Sequence, residues 1–246
     1  MPKIKISVVM ATYNGEKYII QQLESILPQL DLTDEIIISD DNSTDQTITL
    51  IERICDKRIR VVMPTLSKGP IFNFENGLMN ASGDVIVLSD QDDIWLNGRV
   101  KNIREYFSRS CNSNDLLVLD SKVVDDRLCI IESSVFDFIN AGPGIWKNFY
   151  RNTYIGCHMA FKRNLLKYAI PFPSSIPMHD VWLGLVSELV GVVTFCPGPT
   201  MLFRRTGNNY TKSRYSWGTR ILWRINLGLS LLRFGLDYYF LRNYKN

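Results

Sequence analysis

The sequence predicts an α/β fold, a mostly parallel sheet flanked by helices, followed by a C-terminal amphipathic helical segment. Three observations predict it. Short, apolar, β-branched runs alternate with stretches of helical spacing in the N-terminal part of the chain. The runs are apolar at successive positions, as strands covered on both faces must be. The last stretch of the chain reads as one helix with an apolar stripe and a basic composition.

The strand-like runs are Ile4 to Met10, Glu35 to Ser39, Arg60 to Met63 and Asp84 to Ser89. Between them, Tyr18, Gln22, Ser25 and Ile26 have helical spacing, as do Ile48, Ile51 and Cys55, and then Phe74, Leu78 and Ala81. The order βαβαβαβ implies right-handed crossovers and a parallel sheet, in which ligands bind outside the carboxyl ends of the strands. Further on, the pattern predicts a helix over Leu96 to Phe107 and a strand over Leu116 to Leu119. Residues 125 to 150 mix Gly, Pro and aromatics and are assigned to loops over the site. A strand at Gly156 to Phe161, a helix after His179, and strands at Val192 to Cys196 and Thr200 to Arg204 complete the body. The division expected is a catalytic domain over 1–215 and a basic amphipathic tail over 216–246.

At 246 residues, 46% hydrophobic and 22% charged, the chain has an ordinary globular composition, which excludes disordered and collagen-like classes. The N-terminus lacks the apolar core and cleavage site of a secretory signal. Five cysteines (Cys55, Cys111, Cys129, Cys157, Cys196) form no C-x-x-C pair, so reduced, mostly buried thiols in the cytosol are expected. The net charge of +3 hides an asymmetry: from Arg204 onward nine Lys/Arg face one acidic residue, Asp237, a balance of +8, whereas the preceding part carries −5. Such a split predicts a catalytic body and a tail with a different partner.

Three turns at predicted strand ends carry the polar chemistry. Ala11-Thr12-Tyr13-Asn14-Gly15-Glu16 is not a G-x-G-x-x-G dinucleotide turn; by itself it reads as a strand-to-helix bend. In Asp40-Asp41-Asn42-Ser43-Thr44-Asp45, Ser43 and Asp45 suit the N-terminus of the next helix, but adjacent carboxylates at a strand end repel unless a positive or hydrogen-bond-donating group is near. Ser89-Asp90-Gln91-Asp92-Asp93 puts three carboxylates within four residues at the edge of a central strand. That arrangement is costly without a hard cation, and Mg²⁺ and Mn²⁺ are held by one or two carboxylates plus substrate phosphates.

The string ISVVMATYNGEKYI, then DEIIISDDNSTDQT, then the Gly83-Asp84-Val85-Ile86 lead into LSDQDDIW, resembles family 2 glycosyltransferases, and within them bacterial rhamnosyltransferase-like members. The likeness covers roughly the first hundred residues and resumes at Gly156-Cys157-His158-Met159-Ala160-Phe161 and His179-Asp180-Val181-Trp182-Leu183. It implies a GT-A nucleotide-diphospho-sugar transferase fold. Thr12, Tyr13, Glu16 and Asp41, or Asp40, would hold a uracil or thymine nucleoside. Asp90 and Asp92 would flank Mn²⁺ or Mg²⁺ and the diphosphate, with Asp92 the direct ligand, and Asp93 would contact the donor sugar. Asp180 falls where the family carries its catalytic base; without the resemblance, His179-Asp180 reads as a capping Asp beside a surface His. Many relatives end the last core strand in Tyr-Arg-x-His-Gly-x-Asn. Here Phe203-Arg204-Arg205-Thr206-Gly207 places Thr206 where the His would be, so either Arg204 or Arg205 supplies charge to the diphosphate, or the pair faces water.

In the tail, Ile221, Ile225, Leu229, Leu232, Leu236 and Tyr239 form one stripe, and Trp223, Leu227, Phe234 and Leu241 a second apolar group, so two partners are expected. Arg220, Arg224, Arg233 and Asp237 interrupt any membrane span. An interfacial helix on an anionic cytoplasmic leaflet and packing on the body or a second subunit both remain open; a nucleic-acid partner lacks a signature. The expected function is an inverting hexosyl transfer from a UDP- or dTDP-sugar to a glycan or lipid-linked saccharide in lipopolysaccharide or capsule synthesis, at the cytoplasmic face of the inner membrane. A phosphoacceptor receiver and a non-catalytic nucleotide-sugar-binding scaffold are the competing readings.

Overall fold

In the computed structural model, residues 4–64, 69–205 and 216–243 are described. The elements run β1 (Ile6–Thr12), α1 (Ile19–Ile26), β2 (Glu35–Asp40), α2 (Thr47–Arg53), β3 (Ile59–Val62), α3 (Pro70–Asn80), β4 (Val85–Ser89), β5 (Ile94–Trp95) and α4 (Arg99–Arg109). They continue with β6 (Leu116–Leu119), β7 (Lys122–Val124), β8 (Ile130–Glu132), α5 (Val135–Ile139), α6 (Ile145–Tyr150), β9 (Met159–Lys162), α7 (Leu166–Ala169), α8 (His179–Val190), β10 (Val193–Cys196), β11 (Met201–Arg204) and α9 (Trp217–Asn243).

The main sheet has seven strands in the order β10-β6-β9-β4-β1-β2-β3. It is parallel except for β9, which runs antiparallel to β4 and β6. Side chains of β1 alternate between two cores. Ile6, Val8 and Met10 pack with α1, α2 and α4, whereas Val9 joins α3, α7 and α8 on the other face. Burying an apolar side chain of this size contributes about 1.5–3 kcal/mol, so two-sided coverage is what makes an unbroken apolar strand stable. The register sets Thr12 beside Asp40 and Met10 beside Ser89, which places the two acidic turns on either side of the end of β1.

The structure corrects the expectations in three places and extends them in a fourth. Residues 125–150 are not loops: β8, α5 and α6 lie there, too short for a periodicity to show. Gly156 to His158 form a 3₁₀ turn before β9, so the predicted strand starts later. The strand expected over Thr200 to Arg204 is present as β11; what the sequence does not predict is the second sheet, of order β5-β11-β7-β8, that holds it. The thiols are not mostly buried: Cys55, Cys111 and Cys129 are exposed, Cys196 is intermediate and Cys157 alone of the five is buried, and none is in a disulfide.

Helix α9 packs one side on the body. Leu227 is buried, Phe234 meets Trp182 with ring centroids 6.0 Å apart, and Tyr238 meets Tyr168 at 5.7 Å. The stripe Ile221, Ile225, Leu229, Leu232, Leu236 and Tyr239 faces outward. The side chain of Leu241 lies outside the described residues.

Candidate active site

The β1 turn bends at Asn14, whose left-handed backbone (φ 48°) Asn tolerates better than most residues. Gly15 leaves room for Gln91: a Cβ there would lie 2.3 Å from Gln91 Oε1 and displace that side chain. Gln91 clamps this turn to the β4 turn, since its Oε1 accepts from Tyr13 N at 3.0 Å and its Nε2 donates to Tyr13 O at 3.1 Å. Tyr13 projects into solvent, and Glu16 accepts from Gln46 N at 2.9 Å.

In the β2 turn the two carboxylates differ. Asp40 is fully buried and saturated, accepting from Thr12 Oγ1 at 2.7 Å, Ser43 N at 2.7 Å and Ser43 Oγ at 2.6 Å. Thr12's hydroxyl is occupied by that bond. Asp41 accepts from Gly69 N through Oδ2 at 2.7 Å, and its buried Oδ1 has no partner. Of the two, Asp41 is the carboxylate with capacity for a ligand. The N-cap of α2 is Gln46, with Asp45 accepting from Thr47 N at 3.0 Å, so neither Asp45 nor Ser43 occupies the cap itself.

The β4 turn is electrostatically different. Ligand atoms of Asp90, Asp93 and Cys157 all lie within 4.8 Å of one another. Burial pushes the Asp90 carboxyl above its ordinary range, and burial together with Asp90 pushes Asp92 up to about 7. Asp93 is raised furthest in kind, by burial and by both neighbouring carboxylates. At an effective dielectric near 20, unit charges about 5 Å apart repel by about 3 kcal/mol, more than one hydrogen bond returns. Asp93 Oδ2 is buried without a partner, and Oδ1 accepts from Arg204 N at 3.0 Å. The crowded carboxylates of Asp90 and Asp93 suit a hard divalent cation, with the Cys157 thiol a softer donor beside them, and Asp92, expected as the direct ligand, lies outside the group whose ligand atoms approach within 4.8 Å. Asp93, expected against the donor sugar, is instead 1% exposed and faces inward, because the short β5 that follows pulls it under the turn.

At the start of α8, Asp180 faces the same cluster. The expectation of a surface His beside a capping Asp fails: His179 is buried, stacks on Phe74 with centroids 4.1 Å apart, and has no partner on either ring nitrogen. Gly156 is needed beneath it, since a Cβ there would lie 2.7 Å from His179 Nε2. The N–H donors at the start of α8 favour the ionised Asp180 carboxyl. It accepts from Val181 N at 2.6 Å, but burial wins, assisted by Asp90, and raises it to about 7. A base near neutrality is well matched to proton abstraction at physiological pH.

The two arginines separate. Arg204 is buried rather than facing water; it donates through Nε to Asp92 O at 2.8 Å, through Nη1 to Asp126 O at 3.1 Å and through Nη2 to Gln21 Oε1 at 2.8 Å, and lies over the Tyr18 ring. Arg205 is exposed, over Phe203. Thr206 lies outside the described residues.

Sequence reasoning missed Gln91, Cys157 and Arg99 as parts of this site. Arg99 is a fully buried cation below the acidic turn, donating to Cys157 O at 2.8 Å and Thr200 Oγ1 at 2.6 Å. Burial lowers its guanidinium to about 10, so it stays charged at neutral pH and offsets part of the repulsion around Asp93. Only the placement of Gln91 between the acidic residues hinted at any of these.

A family model described as glycosyl transferase family 2 matches residues 7–168. The dTDP-rhamnosyl transferase RfbG of Shigella flexneri is 30% identical over 223 residues, covering 85% of this chain and 75% of that protein. The UDP-Glc:alpha-D-GlcNAc-diphosphoundecaprenol beta-1,3-glucosyltransferase WfgD of Escherichia coli is 24% identical over 185 residues, 74% of this chain and 70% of that one. Among solved structures, S. aureus TarS in complex with UDP-GlcNAc superposes with a TM-score of 0.68 at 22% identity, over 87% of this chain and 62% of that chain. This chain thus spans less than two thirds of the TarS chain, and the likeness is one of fold. The family match sets aside the phosphoacceptor receiver.

Proposed function

The chain belongs to glycosyl transferase family 2, and from that premise we propose that it is an inverting, metal-dependent transferase moving a sugar from a nucleotide donor to a hydroxyl of a lipid-linked glycan in bacterial surface polysaccharide synthesis. The observation that carries this reading is the convergence of Asp90, Asp92 and Asp180 at the carboxyl edge of β1 and β4. Asp41, with Tyr13 and Glu16 at the neighbouring turn, binds the nucleoside. Asp40 and Thr12 shape that pocket through their mutual hydrogen bond.

Asp92 and Asp90 would hold Mn²⁺ or Mg²⁺, whose chemistry when bound is to neutralise the charge building on the departing diphosphate. Arg204 fixes the Asp92 backbone and adds positive potential from below. Asp180 accepts the proton of the acceptor hydroxyl while that oxygen attacks C1 from the face opposite the nucleotide, which inverts the anomeric configuration. Residues 1–215 form the catalytic domain; residues 216–246 hold it at the cytoplasmic face of the inner membrane, where a lipid-linked acceptor such as that named for WfgD would lie.

Thermal unfolding of the full chain with Mn²⁺ and a panel of UDP-, dTDP- and GDP-sugars tests the proposal. One donor class should raise Tm, since ligand at 100 times its Kd adds about 2.7 kcal/mol. No stabilisation by any nucleotide sugar, with or without Mn²⁺, would contradict it.

A further inference from the structure

Among the described side chains of α9, nine large apolar ones stand 40% or more exposed, Trp217 at 80% and Leu232 at 68% among them. The helix runs about 40 Å at 1.5 Å per residue, and its body-facing side is already occupied by Leu227, Leu231 and Phe234. The outward stripe therefore has no partner within the described chain.

Two features say what covers it. Arginines lie along its borders: Arg224 on one edge and Arg233 on the other, on a helix that carries four arginines against one aspartate between Trp217 and Asn243. Helix α6 extends one edge. Arg224 Nη2 donates to Tyr150 O at 2.8 Å, and Phe149 lies 3.5 Å from where a Cβ on Gly228 would stand, one turn further along. From that position α6 exposes Trp146 (74%) and Tyr150 (63%). Apolar residues with bordering arginines and indole and phenol groups match the depth profile of a lipid interface: chains at the acyl boundary, aromatic rings at the headgroups, guanidinium groups at lipid phosphates. A second subunit would satisfy the apolar stripe but not the positive borders, which two identical copies would bring into repulsion. Among the described residues no helix is long and apolar enough to cross a membrane.

We infer that α9 and the Trp146–Tyr150 face of α6 form one composite surface that lies on an anionic phospholipid leaflet. This rests on the membrane-proximal reading above and specifies its surface: the body itself, through α6, touches the lipid, so the active-site domain is held in a fixed orientation instead of hanging from a tether.

The test is flotation of the full chain with vesicles of phosphatidylcholine alone or with phosphatidylglycerol, with donor-induced thermal stabilisation measured in parallel. Binding is expected to the anionic vesicles and to weaken in high salt. Ile225→Asp with Leu229→Asp should reduce it by about tenfold or more per substitution, and Trp146→Ser with Tyr150→Ser should weaken it without touching α9. All four positions are exposed, so Tm should hold; Leu232→Asp with Leu236→Asp repeats the test lower on the stripe. Absent binding to anionic vesicles, unchanged binding by both α9 double variants, unchanged binding by the α6 variant, or a concentration-dependent dimer dissolved by the same substitutions would overturn the inference. A chain that floats but is stabilised by no nucleotide sugar would refute the enzymatic proposal and leave the surface standing.

Discussion

The β2 and β4 turns look alike as strings, Asp40-Asp41 and Asp90-Gln91-Asp92-Asp93, and sit on either side of β1. Their physics is opposite. The β2 turn meets its buried Asp40 with three donors from Thr12 and Ser43. The β4 turn sets carboxylates against one another and a thiol; Arg204 reaches the Asp92 carbonyl with its Nε, and Arg99, buried beneath, donates to Thr200 Oγ1 and Cys157 O. A carboxylate that its own turn satisfies, as Asp40, is structural; one left with an unpartnered buried oxygen, as Asp93 and also Asp41 beside Asp40, has capacity for a ligand. Asp180, raised to about 7 by burial and by Asp90, belongs with the β4 turn.

Two variants and a pH profile sharpen this contrast, beginning with the largest effect. Asp180→Asn keeps the shape and removes the basic oxygen, so kcat should fall about 10²- to 10⁴-fold with donor affinity near wild type. In the wild-type chain the same carboxyl must be ionised to act, so kcat/KM should climb as pH rises through about 7. Near wild-type turnover by Asp180→Asn would return that residue to a capping role. A smaller effect is expected in the satisfied turn: Asp40→Ala strands the donors of Thr12 and Ser43 and should cost about 1–3 kcal/mol in chemical denaturation, while Mn²⁺ affinity stays unchanged.

The strand ends that build the site were legible because two-sided burial writes itself as unbroken apolar runs, and the acidic residues follow those runs directly. Asp41, Asp90, Asp92 and Asp180 could be singled out on those grounds and by resemblance. What stayed hidden depends on contacts distant in sequence. His179 looks like a surface residue beside an acid, and only the packing of Phe74 and Gly156 buries it. The rise in the Asp180 pKa comes from burial, which no local pattern reports. Elements α5, α6 and β8 are three to six residues long, shorter than the window in which a period can be counted. The division of Arg204 from Arg205 follows from Arg204 ending β11 against the β4 turn while Arg205 lies just beyond the strand, a placement that only the second sheet reveals.

The most direct test is a Mn²⁺ titration, read from the paramagnetic resonance of free Mn²⁺ with the preferred nucleoside diphosphate at a concentration that saturates each protein, on the wild type, Asp92→Asn and Asp40→Asn. Asp92 titrates near 7 in the folded chain against 3.8 in the unfolded one, so its neutral form is favoured by folding. Its contribution to stability is present below the unfolded value and lost as pH rises through about 7. At pH 8 in chelator, Asp92→Asn should therefore raise Tm, with the gain vanishing near pH 4. Its Mn²⁺ affinity should fall at least about tenfold, a loss of about 1.4 kcal/mol, whereas Asp40→Asn should bind Mn²⁺ as the wild type does. If Asp92→Asn binds Mn²⁺ with wild-type affinity, or if Asp40→Asn loses it instead, the cation does not complete the β4 turn and the account is wrong at its centre.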